Sequence, residues 1–153
     1  MANLLIREGR PAEIMLIEDN RSDAVLASRA FESAEIENHL TVADTGEKAL
    51  AMLRRDGEYA RLRQPDIILL DLNLPGMSGN DVLAAIKGDE RMKHIPVIVL
   101  SSSGAEADVA RSYDLHASAY VVKPIDLRKF KQVVTTIEQF FFMLVVLPAS
   151  GAA

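Results

Sequence analysis

Four short apolar runs in this chain end on polar residues whose types, taken together, suit phosphoryl chemistry. Asp71 follows Ile67-Ile68-Leu69-Leu70, and Glu18-Asp19 follows Ile14-Met15-Leu16-Ile17. Ser101 closes Val97-Ile98-Val99-Leu100, and Lys123 closes Ala119-Tyr120-Val121-Val122. In open parallel α/β sheets, ligands bind beyond the carboxyl ends of the strands. If the four runs are strands of one such sheet, carboxylates, a hydroxyl and an ammonium meet at a single edge. The constellation reads as a phosphate-and-magnesium site whose nucleophile is Asp71.

Each group has its own task there. Magnesium prefers oxygen ligands in near-octahedral geometry and usually keeps several waters. Asp19 and Asp71 can supply carboxylates directly, with Glu18 better placed to act through a water. Clustered carboxylates repel one another, and a divalent cation turns that repulsion into affinity. A carboxylate such as Asp71 can attack a phosphoryl group and carry it as an aspartyl-phosphate. The transfer then needs mainly positioning and charge neutralisation on the equatorial oxygens. Besides the metal, the Lys123 ammonium and the Ser101 hydroxyl are available for that. Pro124 follows Lys123, and a cis bond between them would aim the lysine inward; the sequence leaves the isomer open.

The elements that must position these groups follow from hydrophobic periodicity. Strands are expected over 13–18, 38–43, 66–70, 97–100 and 119–122. The third and fourth runs lack polar alternation, as strands covered on both faces should. A helix capped by Asn20 or Ser22 places Ala24, Val25, Ala27, Ala30 and Phe31 near one face. Thr45 opens a helix with Ala49, Leu50, Met52 and Leu53 as its apolar side, and a short helix over 81–87 stops at Gly88. The segment 105–115 is small-residue rich, so its helix should pack lightly, and a last helix begins near Asp126. Strands alternating with helices imply βαβ units. The expected fold is α/β, a five-stranded doubly wound parallel sheet over 11–142, with an extension over 1–10 and an apolar arm and tail over 143–153.

Composition narrows the classes. At 153 residues the chain suits one domain with a proper core. A formal charge of -5 argues against general affinity for nucleic acid, whose backbone rewards a basic surface. The absence of cysteine excludes disulfides, thiolate metal sites and a cysteine nucleophile. The first residues lack a signal-peptide pattern, and no apolar run approaches the length of a membrane span, so a cytoplasmic protein is expected. His39, His94 and His116 show no metal-site spacing, and Arg54, Arg55, Arg61 and Arg63 read as a solvated face.

Four pieces resemble, in order and spacing, the CheY-like receiver domains of bacterial two-component response regulators. They are Ile17-Glu18-Asp19-Asn20, Leu70-Asp71-Leu72-Asn73-Leu74-Pro75-Gly76-Met77-Ser78-Gly79, Val99-Leu100-Ser101-Ser102 and Tyr120-Val121-Val122-Lys123-Pro124. The resemblance implies a flavodoxin-like (βα)5 fold and phosphorylation of Asp71 by a histidine kinase. It implies that Glu18 and Asp19 form the acidic pair for Mg2+, with the Asn73 backbone carbonyl as a further ligand. It implies that Lys123 contacts the phosphate, that Ser101 follows the phosphoryl group, and that Tyr120 changes rotamer with it. Asn73 and Ser102 stand where the family tunes dephosphorylation. The long 54–64 stretch, the extended C-terminus and Ser112-Tyr113-Asp114-Leu115-His116 are similar to the regulators that partner bacterial and cyanobacterial phytochromes. That narrower likeness implies a bacteriophytochrome-type kinase.

No helix-turn-helix or catalytic module follows, so the chain is expected not to be an enzyme beyond taking up and losing its own phosphoryl group. A magnesium-dependent phosphohydrolase would usually need a second carboxylate two residues after the nucleophile, where this chain has Asn73. A receiver-like scaffold that never carries phosphate would be free to lose the acid pair, Asp71 and Lys123. Flavin binding would call for a Thr/Ser-rich phosphate loop after the first strand, which is lacking.

Phe140, Phe141, Phe142, Met143, Leu144, Val145, Val146 and Leu147 form an unbroken apolar run. Leu127, Phe130, Val133, Val134, Ile137 and Phe141 make one helical stripe that can cover the sheet, which leaves the rest of the run without a partner. Apolar surface of that extent usually marks an interface. A homodimer through the last helix and this arm is therefore expected, since two-fold closure is the commonest solution.

Overall fold

The computed structural model describes residues 10–139. Five parallel strands form one sheet in the order β2-β1-β3-β4-β5: β1 (Ala12–Ile17), β2 (Asn38–Ala43), β3 (Ile67–Asp71), β4 (Val97–Ser101) and β5 (Ala119–Val122). The connecting helices are α1 (Arg21–Glu32), α2 (Gly46–Arg54), α3 (Gly79–Lys87), α4 (Glu106–Asp114) and α5 (Leu127–Ile137), with a 3-10 turn at Gly57–Tyr59. The expected α/β sheet is present, with β2 and β5 at the expected bounds and the ends of β1, β3 and β4 displaced by a residue. Asp71 and Ser101 thus become the last residues of β3 and β4.

Side chains on the inner strands divide alternately between two cores. Ile14, Leu16, Ile67, Leu69, Ile98 and Leu100 pack with Ala27, Ala30 and Phe31 of α1 and Phe130, Val134 and Ile137 of α5. Met15, Ile17, Ile68, Leu70, Val97 and Val99 pack with Leu50 and Leu53 of α2 and Val82, Leu83 and Ile86 of α3. Coverage on both faces is why β3 and β4 are apolar up to their last residues. α4 contributes a single buried residue, Ser112, as its small-residue composition implies.

The helix starts are set by local chemistry. The side chains of Asn20, Thr45, Ser78 and Asp126 each accept a backbone N–H from the first turn they open. Asn20, rather than Ser22, is the cap of α1. Gly88 ends α3, as the sequence suggests.

The sheet order carries the functional consequence. β1 has β2 on one side and β3 on the other, so the chain's connections diverge between β1 and β3. That divergence opens a crevice at the carboxyl ends of these two strands, the usual ligand position in such sheets. Glu18 leaves β1 and Asp71 ends β3 at that point.

The N-terminal segment before Arg10, and the run from Phe140 to Leu147 read above as a dimer arm, lie outside the described residues. Within them, Phe130, Val134 and Ile137 of the α5 stripe are buried against the sheet, with Leu127 and Val133 partly so. No helix among the described residues is long and apolar enough to cross a membrane.

Candidate functional site

The crevice brings Glu18, Asp19 and Asp71 together, with one carboxylate oxygen from each lying within 4.8 Å of the others. Glu18 and Asp71 are buried, and Asp19 is exposed at the mouth. Hard oxygen donors clustered this way suit a magnesium-type cation, which takes carboxylates and water.

Lys123 lies just beyond β5 and reaches over the end of β4 into this group. Its Nζ donates to Glu18 Oε1 at 2.9 Å, to Asp23 Oδ2 at 2.9 Å and to Asp71 Oδ2 at 3.2 Å. The Lys123-Pro124 bond is cis. Register fixes the lysine's approach: Ser101 pairs with Val122, and the Lys123 backbone N–H donates to the Ser101 carbonyl at 2.7 Å.

Electrostatics follow from burial and from these contacts. Burial, reinforced by the neighbouring Asp71 carboxyl and opposed by Lys123, pushes the Glu18 carboxyl up to about 7. For Lys123, burial works against the charge, but its hydrogen bonds to the Asp23 and Glu18 carboxylates outweigh it, and the ammonium's pKa is raised. The lysine therefore stays charged, while Glu18 is the group whose proton a cation would have to displace.

The segment after β3 is held tightly against Asp71. The Asn73 N–H donates to Asp71 Oδ1 at 2.9 Å, and the Asn73 side-chain amide donates to Ser102 Oγ at 3.1 Å. Gly79 opens α3 against the strand end, and its N–H donates to the Leu72 carbonyl at 3.1 Å. A Cβ at Gly79 would lie 2.3 Å from Leu72 Cα and 2.7 Å from the Asp71 carbonyl oxygen, so only glycine fits there. Gly76 turns with a φ of +69, and Glu47 of α2 accepts the next N–H, that of Met77, at 3.3 Å.

Ser101 is buried at the end of β4, but its hydroxyl is engaged away from Asp71: Oγ accepts the Ser103 N–H at 3.1 Å. Ser103 continues the chain of contacts. Its hydroxyl donates to Asp108 Oδ2 at 2.5 Å, and its carbonyl accepts the Tyr120 hydroxyl at 2.7 Å. Tyr120 is thus tied to the loop that carries Ser101, and is partly buried against the α2–α3 side of the core.

Sequence reasoning named Glu18, Asp19, Asp71, Asn73, Ser101, Tyr120 and Lys123 as candidates, and the fold brings them towards one end of the sheet. It missed two residues. Asp23 in the first turn of α1 reads as a helix-dipole partner, and nothing local announces its contact with a lysine 100 residues away. Ser103 reads as ordinary loop, and only the register of β4 with β5 brings Tyr120 to it.

Comparison with known proteins bears on this arrangement. A family model described as response regulator receiver domain matches residues 14–135. The chain is 40% identical over 140 residues to response regulator Rcp1 of Synechocystis sp., covering 92% of this chain and 95% of that protein. The crystal structure of the phosphorylated cyanobacterial phytochrome response regulator RcpA is similar at a TM-score of 0.82 and 43% identity, over 90% of this chain and 99% of that one. The Mn(2+)-bound form of Rcp1 is similar at a TM-score of 0.81 and 40% identity, again over 90% of this chain and 99% of that one.

Proposed function

The chain belongs to the response regulator receiver domain family, and from that premise we propose that Asp71 is the residue on which it carries a phosphoryl group. The observation that most supports this is the Lys123 ammonium 3.2 Å from Asp71 Oδ2, inside a crevice already lined by Glu18 and Asp19. A carboxylate oxygen of Asp71 attacks the phosphorus of a phosphohistidine on a histidine kinase. An oxygen–phosphorus bond forms as the nitrogen–phosphorus bond breaks, and the departing imidazole nitrogen takes up a proton. Lys123 faces the developing charge on the phosphoryl oxygens.

Asp19 and Asp71, with Glu18 and the Asn73 backbone carbonyl beside them, are the residues assigned to hold Mg2+. The ion would supply charge neutralisation at the carboxylates and the phosphoryl oxygens. Small phosphodonors serve in place of the kinase, and water later removes the group as inorganic phosphate.

The phosphoryl group acts on a two-state loop. Drawn towards it, the Ser101 hydroxyl gives up the Ser103 N–H, and Tyr120 follows because its hydroxyl rests on the Ser103 carbonyl. The changed β4–α4 loop and Tyr120 then alter which proteins the domain contacts. The phytochrome-linked names of the similar regulators support a phytochrome histidine kinase as the partner. We place the receiver domain at 11–142, in the cytoplasm, and expect a homodimer.

Intact mass after incubation with magnesium and acetyl phosphate tests the proposal. Wild type should gain a single phosphoryl group and Asp71→Asn none; equal gain by both would exclude Asp71 as the acceptor.

A further inference from the structure

Three carboxylates share the Lys123 ammonium, and they are not equivalent. Glu18 and Asp71 belong to the oxygen cluster that suits a cation, whereas Asp23 is not part of it. Asp23 reaches Lys123 from the first turn of α1, and its contact at 2.9 Å is shorter than the 3.2 Å contact to Asp71. The backbone beneath it is fixed, because its own N–H donates to the Asn20 cap at 2.9 Å. The Asp23 side chain is 29% exposed and that of Lys123 15% exposed, so the pair is partly shielded from water.

From this we propose that Asp23 is a positioning residue for phosphoryl transfer, holding the Lys123 ammonium over Asp71 when a cation has engaged the other carboxylates. The inference rests on the reading of Asp71 as phosphoacceptor. A lysine side chain is flexible, with three rotatable donors. Once Glu18 and Asp71 turn to a metal ion, Asp23 is the partner that remains to hold one donor. The other two donors are then free to meet the incoming oxygens without the side chain first having to be ordered, which is a contribution of orientation. Two plainer roles exist for Asp23: a favourable charge at the N-terminus of α1, and an ion pair of little consequence. Neither involves Lys123 in phosphoryl transfer.

The test compares wild type, Asp23→Asn and Asp23→Glu in two readouts. The first is the rate of phosphorylation by acetyl phosphate at saturating magnesium. The second, without phosphodonor, is the rate at which an amine-acylating reagent labels Lys123, mapped by peptide mass. Loss of one charge-assisted hydrogen bond should slow phosphorylation of Asp23→Asn by about three- to tenfold. The same variant should label Lys123 faster, by a similar factor of roughly three to ten, with the other lysines unchanged. Asp23→Glu should recover part of both.

An unchanged or increased phosphorylation rate in Asp23→Asn overturns the inference. So does a slower rate with unaltered Lys123 labelling, since the effect would then not pass through the lysine. If wild type itself takes up no phosphoryl group under conditions that phosphorylate a control receiver, the Asp71 reading fails, and the labelling rates still report separately on the Asp23 contact.

Discussion

Lys123 Nζ and Asp71 Oδ2 lie 3.2 Å apart although β4 separates β3, which ends on Asp71, from β5, which Lys123 follows. The distance is bridged by the length of the lysine side chain, which passes over the end of β4 beside Ser101. Removing it would leave the buried carboxylates of Glu18 and Asp71 facing each other without a fixed counter-charge.

Lys123→Ala should therefore destabilise the metal-free protein by about 3 kcal/mol, the low end for breaking a buried pair because the lysine is near the surface. Urea unfolding measures this. Added magnesium should stabilise the variant more than wild type, because it supplies the missing positive charge.

The Glu18 carboxyl sets a pH dependence. Its pKa is about 7 in the folded chain, against an ordinary 4.5. Between those values the folded chain holds a proton that the unfolded chain releases, so this contribution is complete below 4.5 and is lost as pH rises through about 7. Without metal, stability should fall over that interval by on the order of 3 kcal/mol, and Glu18→Gln should flatten the profile. Denaturant unfolding at a series of pH values checks it.

The same proton competes with a cation. Magnesium affinity should weaken below pH about 7, up to roughly tenfold per pH unit where one proton is displaced. Titration calorimetry in buffers of different ionisation enthalpy would detect the released proton, and Glu18→Gln should release less.

Gly79→Ala tests how closely the start of α3 must approach Asp71. The added Cβ would sit 2.7 Å from the Asp71 carbonyl oxygen, so the helix must shift off the strand end. A loss of about 2–3 kcal/mol is expected, in the range for overpacking a tight site. Thermal melting, with the phosphorylation rate measured beside it, checks both consequences.

The apolar run at 140–147 predicts self-association. Truncation after Phe140 should convert a dimer to a monomer in sedimentation equilibrium; an unchanged mass per particle would remove this run from the interface.

Much of this arrangement was legible before the fold was known, for reasons that differ by residue. Asp71, Ser101 and Lys123 each end an uninterrupted apolar run, and for β3 and β4 coverage by helices on both faces leaves the strand ends as the place for polar groups. Glu18 and Asp19 announce themselves as adjacent acids at the same kind of boundary. Asn20 and Thr45 act locally on their own helices, which is why their types were readable. Tertiary contacts were harder. Asp23 has the ordinary composition of a first helical turn, and Ser103 that of a loop. Asp66 read as the first residue of a strand, yet its carboxylate accepts the Glu13 N–H and both guanidinium contacts from Arg10, joining β1 to the approach of β3. Such pairings depend on strand order, which periodicity does not encode.

The most direct test of the central claim is to locate the phosphoryl group chemically. After incubation with magnesium and acetyl phosphate, borohydride reduction converts an acyl-phosphate carboxyl to an alcohol, turning the acceptor aspartate into homoserine. Peptide mass spectrometry should find homoserine at position 71 in wild type and at no other acidic residue. Homoserine elsewhere with Asp71 intact, or none under conditions that phosphorylate a control receiver, would contradict the account.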